Sequence, residues 1–420
     1  MGIKKFLEKF IALPIGVFRN RMDKIEKRIQ ALDAKLTKEK LAREQLIEEQ
    51  KEQQQADREA QQRQRQKEHQ EIQEEQRKEN QQQREENKKQ RQEQEKQLTA
   101  IESKISDIDK RHDYKVGYET GVINSFYEAY EEPDFEEKFL RLVDGLERSE
   151  IAKIVCILER QRMIKGKEGR SVDLYTPEEQ EAIKHMAAYR ESHTLRINEN
   201  LFCYDGYLLQ RRHFEASVFY FKHGVDDMDA SSHQFIKGKS IIDVGGFYGD
   251  SVLVLEELEP KDIYTFEAIE ANYNILQETM KLNGIDNCVA EKLALGDEEG
   301  EVTFDICGSQ SNMQTLNYLN NVDGTETAQI TTLDKYMESR DMEIGLIKVD
   351  IEGAEQSFLR GAKETITKHK PVLLMSIYHN ADDFFGIKPM IESWDLGYKF
   401  KIHKPCDFTV SREVLLICES

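Results

Sequence analysis

From Val17 to Val116 the chain has no glycine and no proline, and from Arg19 to Asp113 no phenylalanine, tyrosine or tryptophan. Average usage would place about twelve glycines and prolines in a stretch of that length. Turns and an aromatic core are thereby excluded here, and uninterrupted helix is the expectation. A basic excess is missing as well: 60 Lys and Arg face 80 Asp and Glu, a formal charge of −20 at pH 7. A general nucleic-acid binder needs a basic footprint, so no nucleic-acid partner is expected. Cysteine is sparse. Cys156, Cys203, Cys288, Cys307, Cys406 and Cys418 are scattered with no C-x-x-C pair. That offers neither a zinc site nor a disulfide framework, and it reads as reduced thiols in a cytoplasmic protein. No apolar run approaches the roughly 18 residues of a membrane span. The longest near the start, IALPIGVF, is interrupted by Pro14, and no small-residue cleavage site follows it. A secretory leader is not expected.

What is present falls into three textures along 420 residues, enough for two or three domains. Residues 1–19 place Ile3, Phe6, Leu7, Phe10 and Ile11 at helical spacing beside Lys4, Lys5 and Lys9. Two readings stand for this basic amphipathic segment: residues 1–18 lie on the inner face of an anionic membrane, or they dock as a helix on a partner or on the body of the protein. Position 6 is Phe6, so the myristoylation pattern fails. Residues 20–112 form the expected rod. Ile25, Ile29, Leu32 and Leu36, then Leu98, Ile101, Ile105 and Ile108, step by three and four as short coiled-coil seams suited to a homo-oligomer. Between them, opposite charges four apart at Glu59/Arg63, Glu74/Lys78 and Glu85/Lys89 contribute only about 0.2–0.5 kcal/mol each. A solvated single helix, a weakly zipped oligomer and plain disorder all fit such a composition. This part reads as a spacer.

Residues 113–192 turn globular and helical. EEPDFEEKFLRLVDGL and SEIAKIVCILERQRMI carry apolar residues every three or four, and TPEEQEAIKHM opens with Thr176 as N-cap, Pro177 at the first helical position and Glu179 closing a capping box. Residues 193–420 begin with a hairpin pattern, TLRINENLFCYDGYLLQRRH, and then alternate. SIIDV is a strand, DSVLVLEEL a helix, DIYTFEA a strand, ANYNILQETMKLNG a helix closed by Gly284, and CVAEKLAL a strand. An edge strand EVTFDI, the apolar IGLIKVD, one helix AEQSFLRGAKETITKH, the buried strand PVLLMSIY, a helix DDFFGIKPMIESW and the strands YKFKIHK and EVLLICE follow. This succession predicts an α/β fold, a parallel sheet wrapped by helices with an antiparallel pair at its end.

In such sheets ligands sit beyond the carboxyl ends of the strands. The first such end reads IIDVGGFYGD. Its glycines at 245, 246 and 249 permit close backbone approach, but they do not make the G-x-G-x-x-G of a dinucleotide loop. Glu267 ends the next strand, 24 residues after Asp243, the usual place of an acid that takes a ribose hydroxyl pair. Asp243 would repel a phosphate but could accept from an ammonium group. An adenosine-bearing, phosphate-free cation fits: S-adenosylmethionine.

DVGGFYGDS, TFEAIEANYNIL, LALGDEEGEVTF, LIKVDIEGAEQSFLRGA and KPVLLMSIYH resemble successive blocks of the FkbM-type methyltransferases. The resemblance covers roughly residues 195–420 and implies a Rossmann-like, seven-stranded methyltransferase domain. It also implies S-adenosylmethionine as cofactor and methyl transfer to oxygen, often on a sugar hydroxyl of a glycan or other small acceptor. Matched residue by residue, Asp243, Gly245, Gly246, Gly249 and Glu267 fall on cofactor positions, and Asp350 and Glu352 on the acidic motif ending the fourth strand. Phe247 stands where many relatives carry Asn.

Methyl transfer needs acceptor oxygen, methyl and sulfur in line, and a sugar hydroxyl must also lose its proton. His379, after a buried strand, titrates in a useful range, and Asp350 and Glu352 flank the same edge. The plainer alternatives are a loop-capping role for His379, a cofactor contact for Asp350 and a turn-holding role for Glu352. Asp350 and Glu352 offer a divalent cation two ligands with no third in view, so no metal is expected. Two rival readings stay open: an NAD-linked oxidoreductase, disfavoured by the glycine spacing, and a coiled-coil scaffold with an inactive methyltransferase domain.

Overall fold

The computed structural model describes residues 114–115, 120–307, 310–313 and 324–420. The membrane-surface segment at 1–19 and the rod at 20–112 lie outside the described residues.

Strand β1 (Tyr114–Lys115) is followed by helices α1 (Thr120–Ala129), α2 (Phe135–Val143) and α3 (Arg148–Ile164), then β2 (Ser171–Val172), which pairs back on β1. Helix α4 (Pro177–His193) starts as its local chemistry requires. The Thr176 hydroxyl accepts from Glu179 N at 3.2 Å while the Glu179 carboxylate accepts from Thr176 N at 2.8 Å. These helices do not pack as a separate body. Phe126, Leu142, Ile154 and Ile157 belong to the same apolar core as the sheet residues Ile242, Ile347 and Leu373, and Phe126 meets Phe384 edge-on at 5.2 Å.

The expected hairpin is a three-stranded meander, β3 (Thr194–Asn198), β4 (Leu201–Tyr204) and β5 (Tyr207–Leu209). Short helices α5 (Ala216–Phe219) and α6 (Ala230–Ile236) lead to β6 (Ser240–Val244), α7 (Asp250–Leu255), β7 (Ile263–Phe266), α8 (Glu270–Asn283) and β8 (Cys288–Glu291). Gly284 closes α8 in the left-handed conformation, φ +67, as read from the sequence. β9 (Ala294–Leu295), β10 (Gly300–Cys307), β11 (Gln310–Met313) and β12 (Gly324–Thr331) form a second sheet in the order β11-β10-β12-β9. EVTFDI is therefore not an edge of the main sheet, and CVAEKLAL is divided between the two sheets. Strand pairing is a tertiary choice that alternation of side chains cannot reveal.

After α9 (Leu333–Met337) come β13 (Ile344–Val349), α10 (Glu355–Gly361), α11 (Lys363–His369), β14 (Val372–Ser376), α12 (Ala381–Glu392), β15 (Lys399–His403) and β16 (Leu415–Glu419). The single helix expected over AEQSFLRGAKETITKH is broken at Ala362. There Gly361 lies so close to Gly296 that a Cβ would stand 1.9 Å from its carbonyl oxygen.

The main sheet has seven strands in the order β15-β16-β14-β13-β6-β7-β8. β14, β13, β6, β7 and β8 run parallel, and β15 and β16 run antiparallel at one edge. This is the Rossmann-like α/β architecture expected. β6, β13 and β14 are buried at every residue, the mark of strands covered on both faces. The chain leaves β6 toward β7 on one side and returns as β13 on the other, so the strand order reverses between them. That switch point fixes where a ligand fits. Among the described residues no helix is long and apolar enough to cross a membrane.

Candidate active site

A cavity of about 660 Å³ opens at this switch point, within the roughly 300–1,000 Å³ usual for small-molecule sites. Sheet order divides its lining. Phe266, Ala268, Leu293, Ala294, Leu295 and Phe304 come from the β7–β10 side, with Glu267 among them. Asp350, Glu352, His379, Arg412 and Glu413 come from the ends of β13 and β14 and the approach to β16. Gly245 and Phe247 lie between the two halves in sheet order. One half is largely apolar, the other acidic.

Asp243 does not line the cavity. Parallel register places it level with Lys348 on β13 and Thr265 on β7. Its fully buried carboxylate pairs with Lys348 Nζ at 3.1 Å and accepts from the Thr265 hydroxyl at 2.7 Å and the Ser251 hydroxyl at 3.2 Å. Asp243, expected to meet a ligand ammonium, forms an internal ion pair with Lys348. Lys348 continues upward and donates to the Gly245 carbonyl at 2.9 Å, which holds the glycine loop down. Burial opposes its charge, but Asp243 and Asp350 outweigh that and keep its pKa above the usual lysine value.

The three glycines also serve packing more than ligand approach. A Cβ on Gly245 would meet the Asp350 carbonyl oxygen at 1.9 Å, one on Gly246 the Thr265 hydroxyl at 2.2 Å, and one on Gly249 the Met280 Cε at 2.6 Å. Only Gly245 of the three lines the cavity. Gly245 and Gly246 both donate from the backbone to the Phe266 carbonyl, at 3.0 and 2.9 Å, which ties the loop to the end of β7.

Glu267 is where the sequence placed it: 8% exposed, at the end of β7 and facing the cavity. Its two oxygens accept from Phe247 N at 2.9 Å and Ile269 N at 2.8 Å, so the carboxylate is aimed and fixed before any ligand arrives. Burial raises its pKa to about 7 against the lowering effect of those two backbone donors and Lys348. Phe247 stacks on Tyr248 with ring centroids 3.8 Å apart, in a left-handed conformation, φ +46, that a bulky residue adopts only under local constraint.

On the acidic side the structure brings Asp350, Glu352 and His379 together. His379 Nε2 lies 3.3 Å from Asp350 Oδ1 and 3.7 Å from Glu352 Oε2. Sequence reasoning missed a fourth member, Glu355, fully buried and 3.0 Å from His379 Nδ1. Burial works against a charged His379, but Glu355, Glu352 and Asp350 overcome it and lift the pKa to about 10. The ring is cationic at neutral pH when the cavity is otherwise empty. Asp383, beneath it, is pushed up to about 8 by burial and by Glu355. Lys348 was legible as a charge inside the otherwise apolar IGLIKV. Glu355 carried no signal of its own, because only the turn at Glu352 (φ +55) and Gly353 (φ +99) brings it back under His379.

A doubly wound sheet whose switch point opens on a cavity of this kind defines a Rossmann-like domain with a small-molecule site. Residues 243–400 match the family model of the Methyltransferase FkbM domain. Methyltransferase 1 of Beauveria bassiana (strain ARSEF 2860) is 24% identical over 186 residues, which cover 39% of this chain and 74% of that one. The crystal structure of methyltransferase FkbM from Methylobacillus flagellatus KT is 18% identical with a TM-score of 0.37, over 66% of this chain and 62% of that chain. Aeropyrum pernix fibrillarin, solved with natively bound S-adenosyl-L-methionine, is 12% identical with a TM-score of 0.28, over 44% of this chain and 68% of that chain. This chain thus spans less than two thirds of the Methylobacillus structure it matches.

Proposed function

We propose that the protein is an S-adenosylmethionine-dependent methyltransferase that methylates a hydroxyl oxygen, on a sugar of a glycan or on another small polyol. The observation that carries this reading is Glu267, its carboxylate fixed by two backbone donors at a strand end and facing a cavity with an apolar wall beside it. The chemistry of the lining suits the cofactor. Glu267 accepts from the two ribose hydroxyls, the apolar β7–β10 wall covers the adenine, and a lining with six carboxyl groups against Lys348, Arg412 and His379 favours a cation. Bound there, S-adenosylmethionine supplies an electrophilic methyl group on a sulfonium. The chain holds the acceptor beside Asp350, Glu352 and His379. With His379 cationic at neutral pH, the hydroxyl proton passes to a carboxylate of this group, and the imidazolium stabilises the negative charge growing on oxygen.

Calorimetric titration of the full chain with S-adenosylmethionine and, separately, NAD tests the reading. Binding of the methyl donor alone is expected, together with transfer of labelled methyl to a hydroxyl-bearing glycan fraction. Glu267→Gln keeps one of the two acceptors that take Phe247 N and Ile269 N and loses the charge, and it is expected to weaken donor binding by about ten- to hundredfold. Preferential binding of NAD would overturn the proposal, and so would label appearing only on amines or carboxylates.

A further inference from the structure

The ends of β13 and β14 lie side by side in parallel register, which sets Asp350, one residue past β13, against His379, three past β14. The turn at Glu352 and Gly353 then delivers Glu355, the first residue of α10, beneath the same ring. Glu355 is fully buried and His379 is 6% exposed. Glu355 Oε1 takes the Ile351 N–H at 2.9 Å, which leaves Oε2 buried with no hydrogen-bond partner.

The ring makes an unusual set of contacts. Nδ1 is 3.0 Å from Glu355 and Nε2 is 3.3 Å from Asp350, yet neither nitrogen forms a directed hydrogen bond. One ion can bind only one of these nitrogens, so a single ring atom must lie within reach of both carboxylates. Two donors held about 2.1 Å from one ion lie roughly 3–4 Å apart. One donor atom each from Asp350, Glu355 and His379 falls within 4.8 Å of the other two.

We infer that Asp350, Glu355 and His379 hold a divalent cation on the acidic side of the cavity. Two carboxylates balance its charge. The set contains no sulfur, so it selects a hard or borderline ion such as Mg²⁺ or Mn²⁺ over the thiolate-seeking metals. Glu352, 3.7 Å from Nε2, is the nearest further carboxylate. With the cation bound, His379 serves as a neutral ligand, and the metal replaces the imidazolium as the positive charge facing the acceptor oxygen. The site needs only these side chains and does not depend on the methyl-donor assignment.

The test reads the metal alone. Full-length protein is stripped with a chelator and titrated with Mn²⁺ while the electron paramagnetic resonance of the free aqueous ion is followed. One Mn²⁺ per chain is expected. Glu355→Gln, which keeps an oxygen for Ile351 N, and His379→Gln are each expected to weaken binding about tenfold or more. Asp350→Asn, at a half-exposed position, supplies a third variant should Glu355→Gln not fold. Glu267→Gln is expected to leave Mn²⁺ affinity unchanged while weakening the methyl donor, so the two assignments fail separately. A parent protein that leaves the free Mn²⁺ signal untouched at millimolar metal would overturn the inference. So would equal Mn²⁺ affinity in the parent and in folded variants of the three ligands.

Discussion

Asp243 shows how much one side chain can carry when its neighbours are fixed by register. Levelled with Lys348 and Thr265, it builds an ion pair with almost no solvent access under the site. Removing one partner of such a pair leaves a stranded charge and costs about 3–5 kcal/mol. Lys348→Met is therefore expected to destabilise the domain by about that much in urea unfolding, and Asp243→Asn in the same chain should recover much of the loss. An additive double variant would mean that the two groups act independently. The lysine also anchors the Gly245 carbonyl, so donor affinity should fall in both single and double variants. This ion pair was half legible in the sequence: the acid looked like a ligand contact because it opens the glycine loop, whereas its burial depends on which strand lies next to it.

Elements whose signals are local agree with the sequence closely. The capping box at Thr176, the Gly284 terminator and the parallel run SIIDV, DIYTFEA, IGLIKVD and PVLLMSIY all rest on chemistry within a few residues. The strand ends Asp243–Gly245, Glu267, Asp350 and His379 converge because parallel topology gathers carboxyl ends on one edge. What escaped was set at longer range. The second sheet took EVTFDI from the main one, and the helix after Glu355 is broken where Gly361 meets the Gly296 backbone. The glycine of LRGA is thus a contact requirement and not a conformational one, since a Cβ there would stand 1.9 Å from a carbonyl oxygen. Gly361→Ala is expected to lower stability by about 1–3 kcal/mol as α10 and the Gly296 loop move apart. Chemical denaturation checks this, and an unchanged midpoint with an unchanged slope would show that the loop yields freely.

Across the whole molecule the formal charge of −20 is not spread evenly over solvent, because several acids sit in or under the cavity where ionisation is opposed. Glu267, Asp383, His379 and Glu215, the last pushed up to about 7 by burial and by Asp250, set a pH dependence with one sign. Glu267 is raised from 4.5 to about 7 and Asp383 from 3.8 to about 8, so the folded state holds these protons more tightly than the unfolded chain does. Their contribution is present at low pH and is lost as pH climbs through those windows. His379 is raised from 6.5 to about 10, so the stability from its carboxylate partners is full below 6.5 and disappears as pH passes through about 10. Asp227, held below its usual value by His403, and Asp297, held down by Ser357 and Arg360, act in the opposite direction only below the ordinary carboxylate range. The ligand-free protein is thus expected to melt at progressively lower temperature from about pH 6 to about pH 9. His379→Gln should flatten the upper half of that slope and leave the lower half, which belongs to Glu267, Glu215 and Asp383. Scanning calorimetry in metal-free buffer is the measurement. A melting temperature that rises over this range would mean that the cavity acids are ionised in the fold without cost, and that their crowding is not what a bound cation relieves.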